Sequence, residues 1–61
     1  MKQYDCVKLK VDINEYKKGD IGIIVELFEN KSAYLEMIDN GGNTIGMLYD
    51  VPLSVIEVNK K

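Results

Sequence analysis

The sequence predicts an all-β protein in which five short strands close into a small barrel. Runs of apolar and β-branched residues are short, and turn-forming residues separate them, which is typical of strands rather than helices. Residues 39–43, Asp-Asn-Gly-Gly-Asn, supply the positive φ angles that a tight hairpin needs. Closure is expected because it removes the exposed edges that a small open sheet would carry.

Residues 19–28 organise the rest of the chain. The turn residues Gly19 and Asp20 lead directly into the apolar run Ile-Gly-Ile-Ile-Val. A glycine inside a strand often marks a bend or the close approach of another backbone, and Gly22 has this position. Residues 21–29 are therefore predicted to form the central, strongly bent strand of the barrel.

The two segments that precede this strand differ in regularity. Apolar and polar residues alternate over residues 5–9, which predicts a half-buried first strand. Residues 10–18 show no clear period, and Val11 and Ile13 are expected to pin them as a long irregular loop over the barrel. A helix there would have about two turns and would be marginal in isolation.

The third strand shows the clearest division into two faces. Residues 33–38 are predicted to place Leu35 and Met37 inward and Tyr34 and Glu36 outward. Later strands are predicted at residues 44–50 and 55–58.

Pro52 separates the last two predicted strands. Because proline cannot donate a ladder hydrogen bond, residues 51–54 are predicted to leave the sheet in a single 3₁₀ turn. The first and last strands must pair if the sheet closes. A long first connection, two hairpins and a 3₁₀ turn before the last strand match the order of an SH3-like barrel.

Length and composition indicate one domain spanning residues 1–61. A chain this short buries about 60% of its unfolded surface, which leaves little room for a deep pocket. Cys6 is the single cysteine, so an intrachain disulfide is excluded and a reducing, cytoplasmic setting is expected. The N-terminus lacks the apolar stretch of a signal peptide. The longest apolar run, residues 23–25, is far shorter than the roughly 20 residues of a membrane span.

The charges are unevenly distributed along the chain. The net charge is −2, yet residues 21–59 carry six acids and one lysine, a local balance of −5. Residues 1–20 hold five lysines and four acids. The chain contains no arginine and no histidine, so bidentate recognition of phosphate or guanine lacks its usual residue.

Two resemblances rest on these residues. Residues 19–25, Gly-Asp-Ile-Gly-Ile-Ile-Val, are similar to the opening of KOW domains, small barrels of ribosomal proteins and transcription elongation factors. Nearly the whole chain resembles a family of short bacterial proteins of unknown function. The pattern comprises Asp5-x-Val7-x-Leu9, Lys18-Gly19-Asp20-x-Gly22-x-Ile24-Val25-Glu26, Tyr34-Leu35-Glu36-Met37, Gly42-x-Thr44, and Pro52 ahead of Ile56. The resemblance implies an SH3-like barrel, and toxin-like gene neighbours of some such proteins suggest an antitoxin or immunity role.

No residue pattern indicates catalysis, and the protein is predicted not to be an enzyme. Histidine is absent, and a carboxylate beside a thiol disfavours the reactive thiolate, so Cys6 next to Asp5 is interpreted as a small buried hydrophobe. Glu26 and Glu36 are expected to face each other across a hairpin. They are interpreted as solvated carboxylates, since a small convex barrel offers no pocket to perturb them.

Neither a metal site nor a cofactor is predicted. Asp39, Asn40 and Asn43 bring side-chain oxygens together around a glycine pair. A calcium loop that started at Asp39 would place Asp50 where a bidentate glutamate belongs, so the pattern fails. A hairpin turn accounts for these residues better.

The acids of the two hairpins are predicted to form a face that binds a basic protein partner. Small acidic proteins use such faces to speed encounter, and exposed tyrosines add anchors. The predicted partner-binding residues are Glu26, Glu29, Tyr34, Glu36, Asp39 and Tyr49. The most specific hypothesis is a non-catalytic antitoxin or immunity protein that masks a nuclease, with its acids in place of the substrate's phosphates.

Two other functions compete with this hypothesis. A KOW-like module that binds RNA or the ribosome would use a basic rim with stacking tyrosines. Its residues would be Lys8, Lys10, Lys17, Lys18, Tyr4 and Tyr16. Net acidity weighs against it, because phosphate neutralisation supplies most non-specific affinity for nucleic acid. The third function is a packing subunit of a larger complex.

Overall fold

A computed structural model describes residues 1–59 of the chain. Over these residues it is all-β, with five strands, one 3₁₀ turn and no α-helix. The elements are β1 (Cys6–Leu9), β2 (Ile21–Phe28), β3 (Ser32–Ile38), β4 (Thr44–Pro52), the 3₁₀ turn (Leu53–Val55) and β5 (Ile56–Val58). The all-β class, the number of strands and the 3₁₀ turn before the last strand are confirmed.

All five strands belong to one antiparallel sheet in the order β4-β3-β2-β1-β5. β1 pairs with β5, so that Leu9 lies opposite Ile56, as predicted for the first and last strands. Within residues 1–59, β4 and β5 form the two edges and do not pair with each other. The sheet is therefore open along these edges rather than closed by backbone hydrogen bonds.

The inner face of the sheet holds the hydrophobic core. Buried and half-buried residues alternate along all of β3, and Leu35 and Met37 are buried, which confirms their predicted inward direction. The buried residues are Val7, Leu9, Tyr16, Ile24, Ala33, Leu35, Met37, Leu48, Val51 and Ile56. Every strand contributes to this cluster, so burial of one shared face holds all five strands together.

The connection between β1 and β2 is a loop without a helix, as predicted. Val11, expected to pin the loop, is exposed, whereas Ile13 packs against the core. Ile13 and Tyr16 exchange two backbone hydrogen bonds of 2.9 Å, and the Tyr16 side chain is only 7% exposed. Tyr16 thus pins the loop, because its ring covers apolar surface that Val11 does not reach.

Two strand glycines leave room for side chains that pack on the inner face. A Cβ atom on Gly46 would overlap the hydroxyl oxygen of Tyr16, so β4 needs a glycine under this ring. A Cβ atom on Gly22 would lie 2.9 Å from the Met37 Sδ. Both glycines mark close approaches.

The bend predicted at Gly22 lies elsewhere in β2. Gly22 pairs in regular register, and the register shifts between Ile24 and Glu26. Val25 is therefore an extra residue in β2, a bulge that bends and twists the strand locally. Gly22 is explained by the close approach of Met37 and not by the bend.

The two hairpin turns use different residues for positive φ angles. Glu29 and Asn30 have φ angles of 50° and 56°, and the Lys31 N–H donates to the Phe28 carbonyl at 2.8 Å. In the β3–β4 turn, Gly42 has a φ angle of 84°, while Gly41 has a negative one. One of the two glycines therefore supplies the positive φ expected there.

β4 is longer than predicted because it includes Val51 and Pro52. These residues lie opposite Ala33 and Ser32 of β3. Pro52 has no N–H to donate. It is tolerated here because β4 is an edge strand, in which a residue can lack an N–H without breaking a ladder on both sides. The chain therefore leaves the sheet only at Leu53.

Candidate partner-binding face

Three aromatic rings cluster on the outer face of the sheet. Tyr34 of β3 lies between Phe28 of β2 and Tyr49 of β4, with ring centroids 4.8 Å and 5.0 Å away. Both pairs are edge-to-face, a geometry that the ring quadrupole favours. Tyr49 is 62% exposed and Phe28 is 39% exposed, so much of this aromatic cluster faces solvent.

Two bulges place the aromatic cluster around Tyr34. On one side, Val25 is the extra residue of β2, and Glu26 lies directly opposite Tyr34. On the other side, the β4 register shifts between Ala33 and Leu35, so Tyr49 and Asp50 both stand beside Tyr34. Bulges often re-aim side chains at functional sites. Here they bring residues from three strands around one ring.

Carboxylates surround the aromatic cluster. Glu26 is opposite Tyr34, Asp50 follows Tyr49, and Glu36 lies two residues further along β3 on the same face. The Thr44 hydroxyl donates a 2.8 Å hydrogen bond to the Glu36 carboxylate and orients it. We call the aromatic cluster with Glu26, Glu36 and Asp50 the acidic–aromatic face.

Within the described part of the chain, the carboxylates of the acidic–aromatic face have no cationic partner. β2, β3 and β4 contain no lysine, and within residues 1–59 the single ion pair joins Lys8 to Glu57, away from this face. A lysine or arginine of a partner would find carboxylates and aromatic ring surfaces together, the groups that attract a cation. The face can therefore capture positively charged surface.

Glu29 and Asp39, the two other predicted partner-binding acids, lie at opposite ends of β3. Glu29 belongs to the β2–β3 turn beside Phe28. The Asp39 carboxylate accepts hydrogen bonds of 2.9 Å from the backbone N–H groups of Gly41 and Asn43. The hydrogen bond from Asn43 is the main reason that the pKa of Asp39 is lowered. Asp39 therefore organises its own turn.

The structure brings together four of the six predicted partner-binding residues, Glu26, Tyr34, Glu36 and Tyr49. It adds Phe28 and Asp50. Phe28 is two residues after Glu26, so strand alternation placed it on the same face. Asp50 joins the face through the β4 bulge, for which the sequence carries no turn or glycine signal.

The prediction that Glu26 and Glu36 face each other across the hairpin is wrong. Glu26 lies opposite Tyr34, and Glu36 lies opposite Ile23 and Met47. The pairing follows from the hairpin register together with the extra residue at Val25. The two carboxylates thus both neighbour Tyr34, one across from it on β2 and the other two residues along β3, and do not form a facing pair.

Three of the four lysines of the predicted basic rim lie at a shallow cleft, whereas Lys17 does not line it. Its volume is about 350 Å³, and it is lined by Lys8, Leu9, Lys10, Lys18, Gly19 and Glu57. Lys8 already pairs with Glu57 at 3.4 Å. The backbone N–H groups of Leu9, Lys10 and Gly19 all donate to carbonyl oxygens of the chain. An anion in this lysine cleft would therefore be held by lysine side chains alone.

The predicted stacking tyrosines do not join the lysine cleft. The Tyr16 ring is buried in the core, so it offers no stacking surface. Tyr4 is exposed, but its backbone N–H donates to the carbonyl of Ile24, beyond the other end of β1. The exposed aromatic cluster instead lies beside carboxylates.

Cys6 is half-buried and unpaired, and the Asn59 side-chain amide lies 3.8 Å from its sulfur. Over residues 1–59, no three His, Cys, Asp or Glu side chains are grouped so that they could hold a metal ion. The same residues include no helix of the length and apolarity needed to cross a membrane. Neither absence identifies a function.

Comparisons with protein-family models, with curated proteins and with solved structures give no match to this chain.

Proposed function

We propose that this protein is a non-catalytic interaction module that binds a basic protein through its acidic–aromatic face. The observation that carries the proposal is the aromatic cluster of Phe28, Tyr34 and Tyr49, much of it exposed and surrounded by carboxylates that form no ion pair with any lysine of residues 1–59. Aromatic residues dominate the energy of protein interfaces, while charge complementarity sets the partner and speeds association. The acidic–aromatic face provides both exposed aromatic side chains and negative charge.

The specific form of the proposal is an antitoxin or immunity protein that masks a basic toxin in the cytoplasm. Glu26, Glu36 and Asp50 would occupy the positions that phosphates of a nucleic acid take on a nuclease. A single free cysteine and a net charge of −2 support this role, because they suit a reducing compartment and a basic partner.

We further propose that the open sheet is a curled, SH3-like barrel. Three features support the assignment: the pairing of β1 with β5, the 3₁₀ turn before β5, and the approach of Tyr16 to Gly46 of β4. Tyr16 belongs to the loop that follows β1, so side-chain packing links strands at opposite parts of the sheet. The resemblance to short bacterial proteins fits the same topology.

A second candidate function rests on the lysine cleft. Lys8, Lys10 and Lys18 lie around one concavity, which favours binding of an anionic ligand such as RNA. Its support is weaker, because Glu57 occupies part of the cleft and no aromatic ring lines it.

Association rates with a partner captured from the source cells distinguish the two functions. We expect Glu26→Lys and Glu36→Lys each to slow association, and the slowing to shrink with salt, which screens charges over about 8 Å at physiological ionic strength. Lys8→Glu and Lys18→Glu, at two lysines that line the cleft, should change the association rate little. Glu15→Lys, the same charge change on the exposed β1–β2 loop, is the matched control.

The competing function makes the reverse prediction. If Lys8→Glu and Lys18→Glu abolish binding while the two glutamate variants behave like Glu15→Lys, the acidic–aromatic face is not the binding site. RNA recovered with the protein at low salt and lost at moderate salt would then support the lysine cleft.

A further inference from the structure

The outer edge of β4 is an unpaired backbone surface beside the acidic–aromatic face. Among residues 1–59, β4 pairs only with β3, on one side. No other backbone hydrogen bond within residues 1–59 involves Thr44–Pro52. Ile45 and Tyr49 of this strand are 54% and 62% exposed. The edge therefore presents both backbone groups and apolar side chains to solvent.

The β4 edge lacks most of the devices that protect edge strands. Such strands are often very short, or carry lysine or an internal proline. β5, the other edge strand, is only three residues long and is protected by this shortness. β4 has nine residues, no lysine, and its single proline at the last position. Register shifts at Ile45 and at residues 49–50 interrupt it, which leaves residues 46–48 in regular pairing with β3.

The charges beside this edge select the kind of strand that fits. Asp50 lies on β4 and Glu36 on the neighbouring β3, and neither strand has a cation. A second copy of this chain would bring the same carboxylates against each other. An incoming strand with lysines or arginines on one face would instead place them near Asp50 and the ring of Tyr49.

We propose that the partner presents a short, extended basic segment that adds to the outer edge of β4 as a sixth strand. Backbone pairing along residues 46–48 supplies affinity, and alternate cationic side chains over Tyr49 and Asp50 supply selectivity, as in other strand additions. This inference rests on the proposed function, since it names the partner and its mode of binding at that same face.

A peptide of alternating lysine and threonine, ten residues long, tests the proposal. Two further peptides carry N-methyl groups on the backbone nitrogens of either all lysines or all threonines. Alternate N–H groups of a strand point to opposite sides, so only one methylated peptide should lose binding. Loss of two ladder hydrogen bonds should weaken that peptide about tenfold, and the other should bind like the parent.

Hydrogen exchange on the intact protein locates the bound strand. We expect the parent peptide to slow exchange of backbone amides within residues 46–48 and to leave those of β5 unchanged. Tyr49→Lys should weaken binding by about tenfold, because it replaces an aromatic anchor with a like charge. Tyr4→Lys is the matched control, since Tyr4 is a similarly exposed tyrosine away from β4.

The outcomes separate this inference from the proposed function. If the parent peptide binds but both methylated peptides bind equally well, or β4 exchange is unchanged, strand addition is wrong while the face can still bind. Failure of the peptide to bind, with capture of the partner still sensitive to Glu26→Lys, likewise overturns strand addition alone. Concentration-dependent dimers that protect the β4 amides without peptide would identify a second copy as the occupant and overturn the inference.

Discussion

The inner and outer faces of β2, β3 and β4 both carry large apolar side chains, and they differ in what covers them. On the inner face, Tyr16 from the β1–β2 loop and Leu53 from the 3₁₀ turn complete the cover. On the outer face, Phe28 and Tyr49 remain exposed, and no segment of residues 1–59 packs over them. The inner face therefore determines stability, while the outer face is free to bind.

The largest expected effect comes from a cavity in the inner face. Leu35 is fully buried between Ile24 and Leu48, so Leu35→Ala should destabilise the fold by about 2–5 kcal/mol. Ile45→Ala, on an exposed apolar residue of β4, should stay within about 0.5 kcal/mol. Urea denaturation of both variants measures the difference. If both variants lost the same free energy of unfolding, the two faces would be packed alike and the comparison would be wrong.

An intermediate effect is expected where the loop closes over β4. Gly46→Ala forces a methyl group against the Tyr16 hydroxyl and should cost about 1–3 kcal/mol. Tyr16→Phe removes that oxygen, so the double variant should recover part of the loss. Thermal unfolding of the two single variants and the double variant measures the coupling. Additive losses would mean that Tyr16 does not pack on Gly46.

The smallest effect concerns the exposed β3–β4 turn, which belongs to neither face. The hydrogen bond from Asn43 is the main cause of the lowered pKa of Asp39, so the ionised carboxylate stabilises the folded state. The stability that the Asp39 carboxylate contributes is fully present above the ordinary aspartate pKa of 3.8. It is lost as the pH falls through the lower pKa that Asp39 has in the folded state.

Asp39→Asn should therefore be less stable than the parent protein near neutral pH, and the gap should narrow as the pH approaches 3. Urea denaturation at pH 6 and at pH 3 measures the gap. Glu15→Gln, at an exposed loop position, is the control for general charge effects. A gap that stays constant over this pH range would assign the loss to turn geometry rather than to ionisation.

The acidic–aromatic face shows how far sequence reasoning reached at the candidate site. Glu26, Tyr34, Glu36 and Tyr49 were identified because acids and tyrosines are visible in the sequence. The predicted facing of Glu26 and Glu36 was wrong, and their arrangement around Tyr34 was not predicted, since each bulge moves the residues after it by one position in the pairing. Local propensity carries no signal for the bulges at Val25 and beside Asp50.

Tyr16 illustrates the same limit for the core. From the sequence, it was a candidate for stacking on nucleic acid, because a tyrosine between charged loop residues is expected to be exposed. Its burial depends on Gly46, thirty residues later in the chain. Only the folded chain brings the two together, and no periodicity in residues 10–18 indicates it.

By itself, the sequence determined the all-β class, the positions of the strands to within a few residues, the β1–β5 pairing and the 3₁₀ turn. The class, the strand positions and the 3₁₀ turn depend on local alternation, glycine and proline, which act over a few neighbouring residues. The β1–β5 pairing was expected from closure of a small sheet rather than from local propensity. Tertiary structure alone decided the register, the bulges, the burial of Tyr16 and the open edge of β4. These depend on which side chains from distant segments fit one core, and that is a property of packing rather than of local propensity.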